Sequence, residues 1–250
     1  MTPSQFLSDN FRLASVSLRE ADDKTTGEDQ IHYKTPHFQA EGGWNIICDF
    51  DGTIACFDVT DAVLARFADP AWEAVEKEWL EGTITARQCL ERQIRLINAR
   101  PADLDAFLDS VPLTDGFAEF TRFCGERGLA TLVVSDGLDY AIRRVLAANG
   151  LEGLPVIANL LRFEGESGYG LEFPHGAPGC PSGVCKCAVA KAGGGKILLI
   201  GDGHSDICLA GLASFVLARR DKALHRHCRG NGLPHAVYDD FFDILHFFNA

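Results

Sequence analysis

The sequence predicts an α/β protein: a doubly wound parallel sheet, with a small helical cap inserted after the first strand. Three observations carry this. Short apolar runs recur along the chain, helix-patterned segments lie between several of them, and the interval between the first two is far longer than the ~30 residues of a simple βαβ unit.

Residues 1–42 mix charge, Thr and Gly with only brief apolar patches, and read as a mobile N-terminal extension. Trp44-Asn-Ile-Ile-Cys-Asp49 is the first strand, an apolar run that ends in a carboxylate. The second, Ala130-Thr-Leu-Val-Val-Ser135, ends in a hydroxyl. Pro155–Asn159, Lys196–Asp202 and Ser214–Ala218 continue the series. Between the first two strands, Asp69-Pro70 is a helix start signal, and Thr85 with Gln88 forms a capping-box pattern ahead of Leu90, Ile94 and Ile97. These signals make 57–112 the helical cap and leave 43–56 and 113–250 as the core. From Gly116 to Arg127 a helix places Phe117, Phe120, Phe123 and Cys124 on one face to pack on the sheet. Glycines between Leu161 and Phe173 suggest a β-hairpin.

Composition narrows the function. With 23 Lys and Arg against 35 Asp and Glu, the formal charge is −12, a poor field for nucleic acid. A small phosphorylated ligand meets the same repulsion, so a divalent cation, a lysine or a helix N-terminus must offset it locally. No segment is long and apolar enough to cross a bilayer, so no membrane partner is expected. Nine scattered cysteines, without a secretory leader pattern, suggest reduced thiols and a cytoplasmic location.

In doubly wound sheets the ligand crevice lies beyond the carboxyl ends of the strands, which is where Asp49, Ser135 and Asp202 belong. Asp49-Phe-Asp51-Gly-Thr53 sets two carboxylates two residues apart, with Gly52 permitting a tight turn. One can attack phosphorus while the other handles the proton. A surface Asp-Gly turn is the plain alternative. Gly201-Asp-Gly-His-Ser-Asp206 repeats the pattern and adds Asp202 as a magnesium ligand and Asp206 as a ligand or its neighbour; oxygen donors favour magnesium over zinc. Ser135 and the amides of Asp136 and Gly137 can hold phosphate oxygens at a helix start, or Ser135 can be a simple N-cap. Lys186, in Cys-Lys-Cys, can neutralise the developing charge, although a lone lysine is more often a solvated one. Cys180, Cys185 and Cys187 lack a familiar zinc spacing, and His225, His227, Cys228, Glu78, Arg87 and Gln93 receive no role.

In that order, Asp49-Phe-Asp-Gly-Thr53, Ser135, Lys186 and Gly201-Asp-Gly-His-Ser-Asp206 resemble the four motifs of the haloacid dehalogenase superfamily. The resemblance implies Asp49 as nucleophile and Asp51 as acid/base. It also implies Thr53, Ser135, Asp136, Gly137 and Lys186 around the phosphate, and Mg2+ held by Asp49, Asp51 (through its carbonyl) and Asp202 with Asp206 in support. More narrowly, the chain from Trp44 onward is similar to the methionine-salvage phosphatases acting on 2-hydroxy-3-keto-5-methylthiopentenyl-1-phosphate, relatives of the phosphoserine phosphatases. The signals are Trp72 to Trp79, Val134-Ser-Asp-Gly-Leu-Asp, Ile157-Ala-Asn, Glu172-Phe-Pro-His and the Cys-rich loop around Lys186. Asp136 stands where those enzymes often have glycine. The expected activity is hydrolysis of a small phosphorylated metabolite, with phosphoserine and phosphocholine or phosphoethanolamine as alternative substrates. A phosphomutase, a dehalogenase and a non-catalytic binding protein are the competing classes, and the expected assembly is a monomer or homodimer.

Overall fold

The computed structural model describes residues 43–249, so the expected N-terminal extension lies outside the described residues. Seven strands form one sheet in the order β4-β3-β2-β1-β5-β6-β7. They are β1 (Trp44–Cys48), β2 (Ala130–Leu138), β3 (Val156–Glu164), β4 (Gly168–Glu172), β5 (Lys196–Gly201), β6 (Phe215–Arg219) and β7 (His235–Tyr238). All neighbours are parallel except β3 and β4. Buried along its whole length, β1 pairs with β2 from Asn45↔Ala130 and with β5 from Trp44↔Lys196.

Side chains alternate across a strand, so successive residues feed separate apolar layers. Ile46 and Cys48 join one layer with α5 (Phe117–Glu126), α6 (Asp139–Ala148) and α10 (Phe241–Asn249). Ile47 joins the other with α7 (Lys186–Gly193), α8 (Ile207–Ala210) and α9 (Ala223–Asn231). On α5 the expected face packs as Phe117, Phe120 and Cys124, all buried, with Phe117 edge-on to Phe241 at a centroid distance of 4.9 Å. Phe123 is only partly buried and meets Phe248 at 5.3 Å.

Four helices lie between β1 and β2: α1 (Val59–Phe67), α2 (Trp72–Leu80), α3 (Ala86–Ile94) and α4 (Pro101–Leu108). The bridge Ala55↔Leu113 marks where this segment leaves the sheet layer and returns. The Thr85/Gln88 capping box forms as the sequence predicts. At Asp69-Pro70, the Asp69 carboxylate accepts the Ala71 N–H at 2.9 Å, just ahead of α2. Arg144 on α6 fastens α4 to the sheet layer through Asp109 at 2.5 Å.

Two differences from the sequence reading concern strands. Instead of turning into a helix after Ser135, β2 continues to Leu138, which pairs with Asn159 beyond a register shift, and α6 starts only at Asp139. β7 escaped notice because it is short and buries only Tyr238 fully. The expected hairpin is β3–β4, turning at Gly165 with φ +67.

Candidate active site

Asp49 is the last residue held by the central strands: its N–H donates to Ile200 O at 2.9 Å, and its side chain then caps the wide helical turn Phe50–Ile54. Gly52 has φ +67, a conformation that L side chains resist, and a Cβ there would lie 2.6 Å from Asp202 Oδ2. The turn that carries Asp51 therefore abuts the carboxylate that follows β5. Gly52→Ala is expected to retain the fold while losing most divalent-cation affinity, which a cation titration followed by thermal melting checks.

Lys186, the first residue of α7, is 1% exposed and bridges two carboxylates, with Nζ 2.7 Å from Asp49 Oδ1 and 2.6 Å from Asp206 Oδ1. Burial acts to lower this ammonium, but the two carboxylates outweigh it and hold the group above its ordinary range. Asp49 Oδ1 also accepts the Phe50 N–H at 2.9 Å, which leaves Oδ2 as its less engaged oxygen. Asp206 Oδ2 accepts the amides of Asp202 (3.2 Å) and Gly203 (3.1 Å). Asp51 Oδ1 accepts the Val59 N–H at 2.8 Å, and Oδ2 lies 3.4 Å from Ser135 Oγ.

Burial first, and repulsion between neighbouring carboxylates second, govern the electrostatics. Burial, then repulsion by Asp206, pushes the Asp49 carboxyl well up against the pull of Lys186. Burial and Asp58 push Asp51 well up. Burial and Asp206 push Asp202 up from 3.8 to about 6. Oxygens of Asp49, Asp202 and Asp206 come within 4.8 Å of one another, the only such metal-competent group among the described residues. An all-oxygen set with surplus negative charge fits a hard divalent cation.

The structure thus brings Asp49, Asp51, Ser135, Lys186, Asp202 and Asp206 together at the carboxyl ends of β1, β2 and β5. Thr53, Asp136 and Gly137, also expected around the phosphate, each make contacts within the protein. Thr53 is wholly buried, and its carbonyl accepts the Thr114 hydroxyl at 2.7 Å. The Gly137 N–H donates to Ser135 Oγ at 2.9 Å, so Ser135 caps its own turn rather than a helix. The Asp136 carboxylate turns to the Cys-rich loop, accepting Val184 N–H at 2.8 Å and Asn159 Nδ2 at 3.2 Å.

Arg219 was missed in the sequence. It ends β6 and donates to Gly52 O at 2.5 Å, bracing the Asp51 turn. A cation at the carboxyl end of a parallel strand was its only signal. Of the residues given no role, Glu78 pairs with Arg92, Gln93 is buried against Glu76, and His225 accepts the Asp221 N–H. Arg87 is different, since it reaches across to the Cys-rich loop.

A mainly parallel sheet that gathers an Asp-x-Asp turn, a serine, a lysine and a second Asp pair at one end marks an enzyme with a carboxylate-centred site. The haloacid dehalogenase-like hydrolase family model matches residues 46–211, and the chain belongs to that family. It is 30% identical over 213 residues to the 2-hydroxy-3-keto-5-methylthiopentenyl-1-phosphate phosphatase of Brevibacillus brevis, covering 80% of this chain and 92% of that one. Identity is 31% over 208 residues to the enzyme of the same name from Geobacillus kaustophilus, covering 80% and 93%. Among solved structures, a phosphoserine phosphatase captured as a phospho-aspartyl intermediate analogue superimposes with a TM-score of 0.61 at 22% identity, covering 82% of this chain and 98% of that one, a likeness of fold. Among the described residues, no helix is long and apolar enough to cross a membrane.

Proposed function

We propose that the chain is a magnesium-dependent phosphomonoesterase working through an aspartyl-phosphate on Asp49, with the methionine-salvage enol phosphate as its substrate. The observation that carries the reading is the Asp49–Lys186 contact at 2.7 Å beside Asp51 in one turn. The salvage substrate rests on the names of the relatives at 30% and 31% identity.

In this reading Asp49 Oδ2 attacks phosphorus as the ester P–O bond breaks, and Asp51, whose carboxyl is held well above its ordinary range by burial and Asp58, gives its proton to the leaving oxygen. Asp51, now a carboxylate, takes a proton from water as the water oxygen attacks phosphorus and Asp49 departs. Lys186 and the Ser135 hydroxyl hold the phosphoryl oxygens while Asp206 keeps Lys186 in place. Asp49, the Asp51 carbonyl and Asp202 would hold the magnesium, which when bound supplies positive charge to the phosphoryl oxygens and favours the ionised form of Asp49. The helices of residues 57–112 serve as the cap that excludes bulk water and selects the leaving group.

Magnesium-dependent phosphate release from the salvage enol phosphate, phosphoserine, phosphocholine and phosphoethanolamine tests this. Asp51→Asn is expected to lower turnover by about 10²- to 10⁴-fold with magnesium affinity retained. No release of phosphate from any of them by folded, magnesium-loaded protein would favour a binding role.

The raised Asp202 carboxyl sets a pH dependence. Its folded value of about 6 exceeds the ordinary 3.8, so in this window the folded state binds more protons than the unfolded state. Without divalent cation, this group's contribution is expected to fall as pH rises from about 4 to about 6, with magnesium stabilising most above that window. Melting temperature against pH, with and without magnesium, checks it.

A further inference from the structure

Lys186 is the most deeply placed cation of the site, yet it is delivered by a stretch of turns and bends running from Phe173 to Cys185. Loops of that kind are usually the mobile part of a fold. This one is held at two points. From the sheet, Asp136 Oδ1 accepts the Val184 N–H at 2.8 Å. Asn159 fixes Asp136 in turn, its Nδ2 donating to the Asp136 carbonyl at 2.5 Å and to the carboxylate at 3.2 Å. Gly183 lies against the same asparagine so closely that a Cβ there would be 2.3 Å from Asn159 Oδ1. From α3, the Arg87 N–H donates to Pro181 O at 2.9 Å, Nη2 donates to Ser182 O at 3.2 Å, and the guanidinium lies over the Phe173 ring.

We infer that Asp136 is a positioning residue: it holds Val184 so that Lys186, two residues on, stands between Asp49 and Asp206. The assignment rests on the phosphatase reading above and gives Asp136 a role directed at the lysine loop rather than at the substrate. Asp136 immediately follows Ser135, so the two phosphate-holding groups are joined by one short chain of bonds: Ser135 by peptide linkage to Asp136, and Asp136 by hydrogen bond to the segment that carries Lys186. A displacement of about 1 Å at such a group costs on the order of 10²-fold in rate.

The test compares Asp136→Ala, Asp136→Asn and Gly183→Ala with the native protein by steady-state kinetics and by amide hydrogen exchange over residues 183–187. Asp136→Ala is expected to lower kcat about 10²-fold with KM changed less than about twofold, and to speed exchange in that segment. Asp136→Asn keeps the Oδ1 acceptor and is expected to stay within about threefold of native. Should Asp136→Ala fail to fold, Gly183→Ala decides, because its methyl group displaces the same loop and should give the same loss of kcat. A raised KM with unchanged kcat would make Asp136 a substrate contact and overturn the inference, as would unchanged exchange and kcat. If native protein releases no phosphate, the phosphatase reading fails, and the exchange data alone decide whether Asp136 anchors the loop.

Discussion

Asp49→Asn is expected to lower phosphate release by at least about 10³-fold without lowering the melting temperature. The substitution keeps shape and removes the attacking oxygen's charge. Asp49 is buried beside Asp206, with Lys186 as the one ammonium between them, and repulsion from Asp206 is among the forces that raise its carboxyl. A neutral amide relieves that repulsion, so stability should hold or rise while turnover disappears. Initial rates and a thermal melt on the same preparation separate the effects. Turnover surviving in a folded variant would move the nucleophile elsewhere.

Lys186→Met should show the opposite pattern, losing stability and activity together. The ammonium is 1% exposed and contacts both Asp49 and Asp206, so its removal strands two buried carboxylates. Breaking a buried pair in this way costs about 3–5 kcal/mol. Asp49, no longer held down by the ammonium, should then be easier to protonate in the folded state, so the variant is expected to gain stability as pH falls from neutral toward about 5. Excess magnesium should restore part of the stability and little of the turnover. Denaturant melts across that pH range, with and without magnesium, check both statements; a native-like melt would mean that another cation takes the place of Lys186.

The sheet and the convergence of its polar ends were legible because each rests on a local pattern. Apolar runs ending in Asp49, Ser135 and Asp202 need only a strand and its next residue to be recognised, and the long gap after Thr53 needs only counting. What was hidden depends on partners distant in the chain. Asp136 reads as a residue whose amide holds phosphate at a helix start, whereas its carboxylate is committed to Val184, and nothing near either residue marks the pair. Arg219 braces Gly52 across 167 positions of sequence. Ser-Asp-Gly keeps its local turn bond from Gly137 N–H to Ser135 Oγ, but pairing of Leu138 with Asn159 resumes the strand beyond it and delays the helix to Asp139. The complete burial of Thr53 follows from packing that no motif displays.

The central place of β1 has a consequence for synthesis. Its partner on one side begins at Ala130 and on the other at Lys196, so a growing chain holds the Asp49 strand with an open edge until β5 has been made. Parallel pairings of such separation close slowly, and an apolar strand waiting with unpaired amides is a template for other chains. Slower elongation or a lower growth temperature should therefore raise the yield of folded protein, and nascent chains released before Lys196 should be captured by chaperones that full-length chains escape.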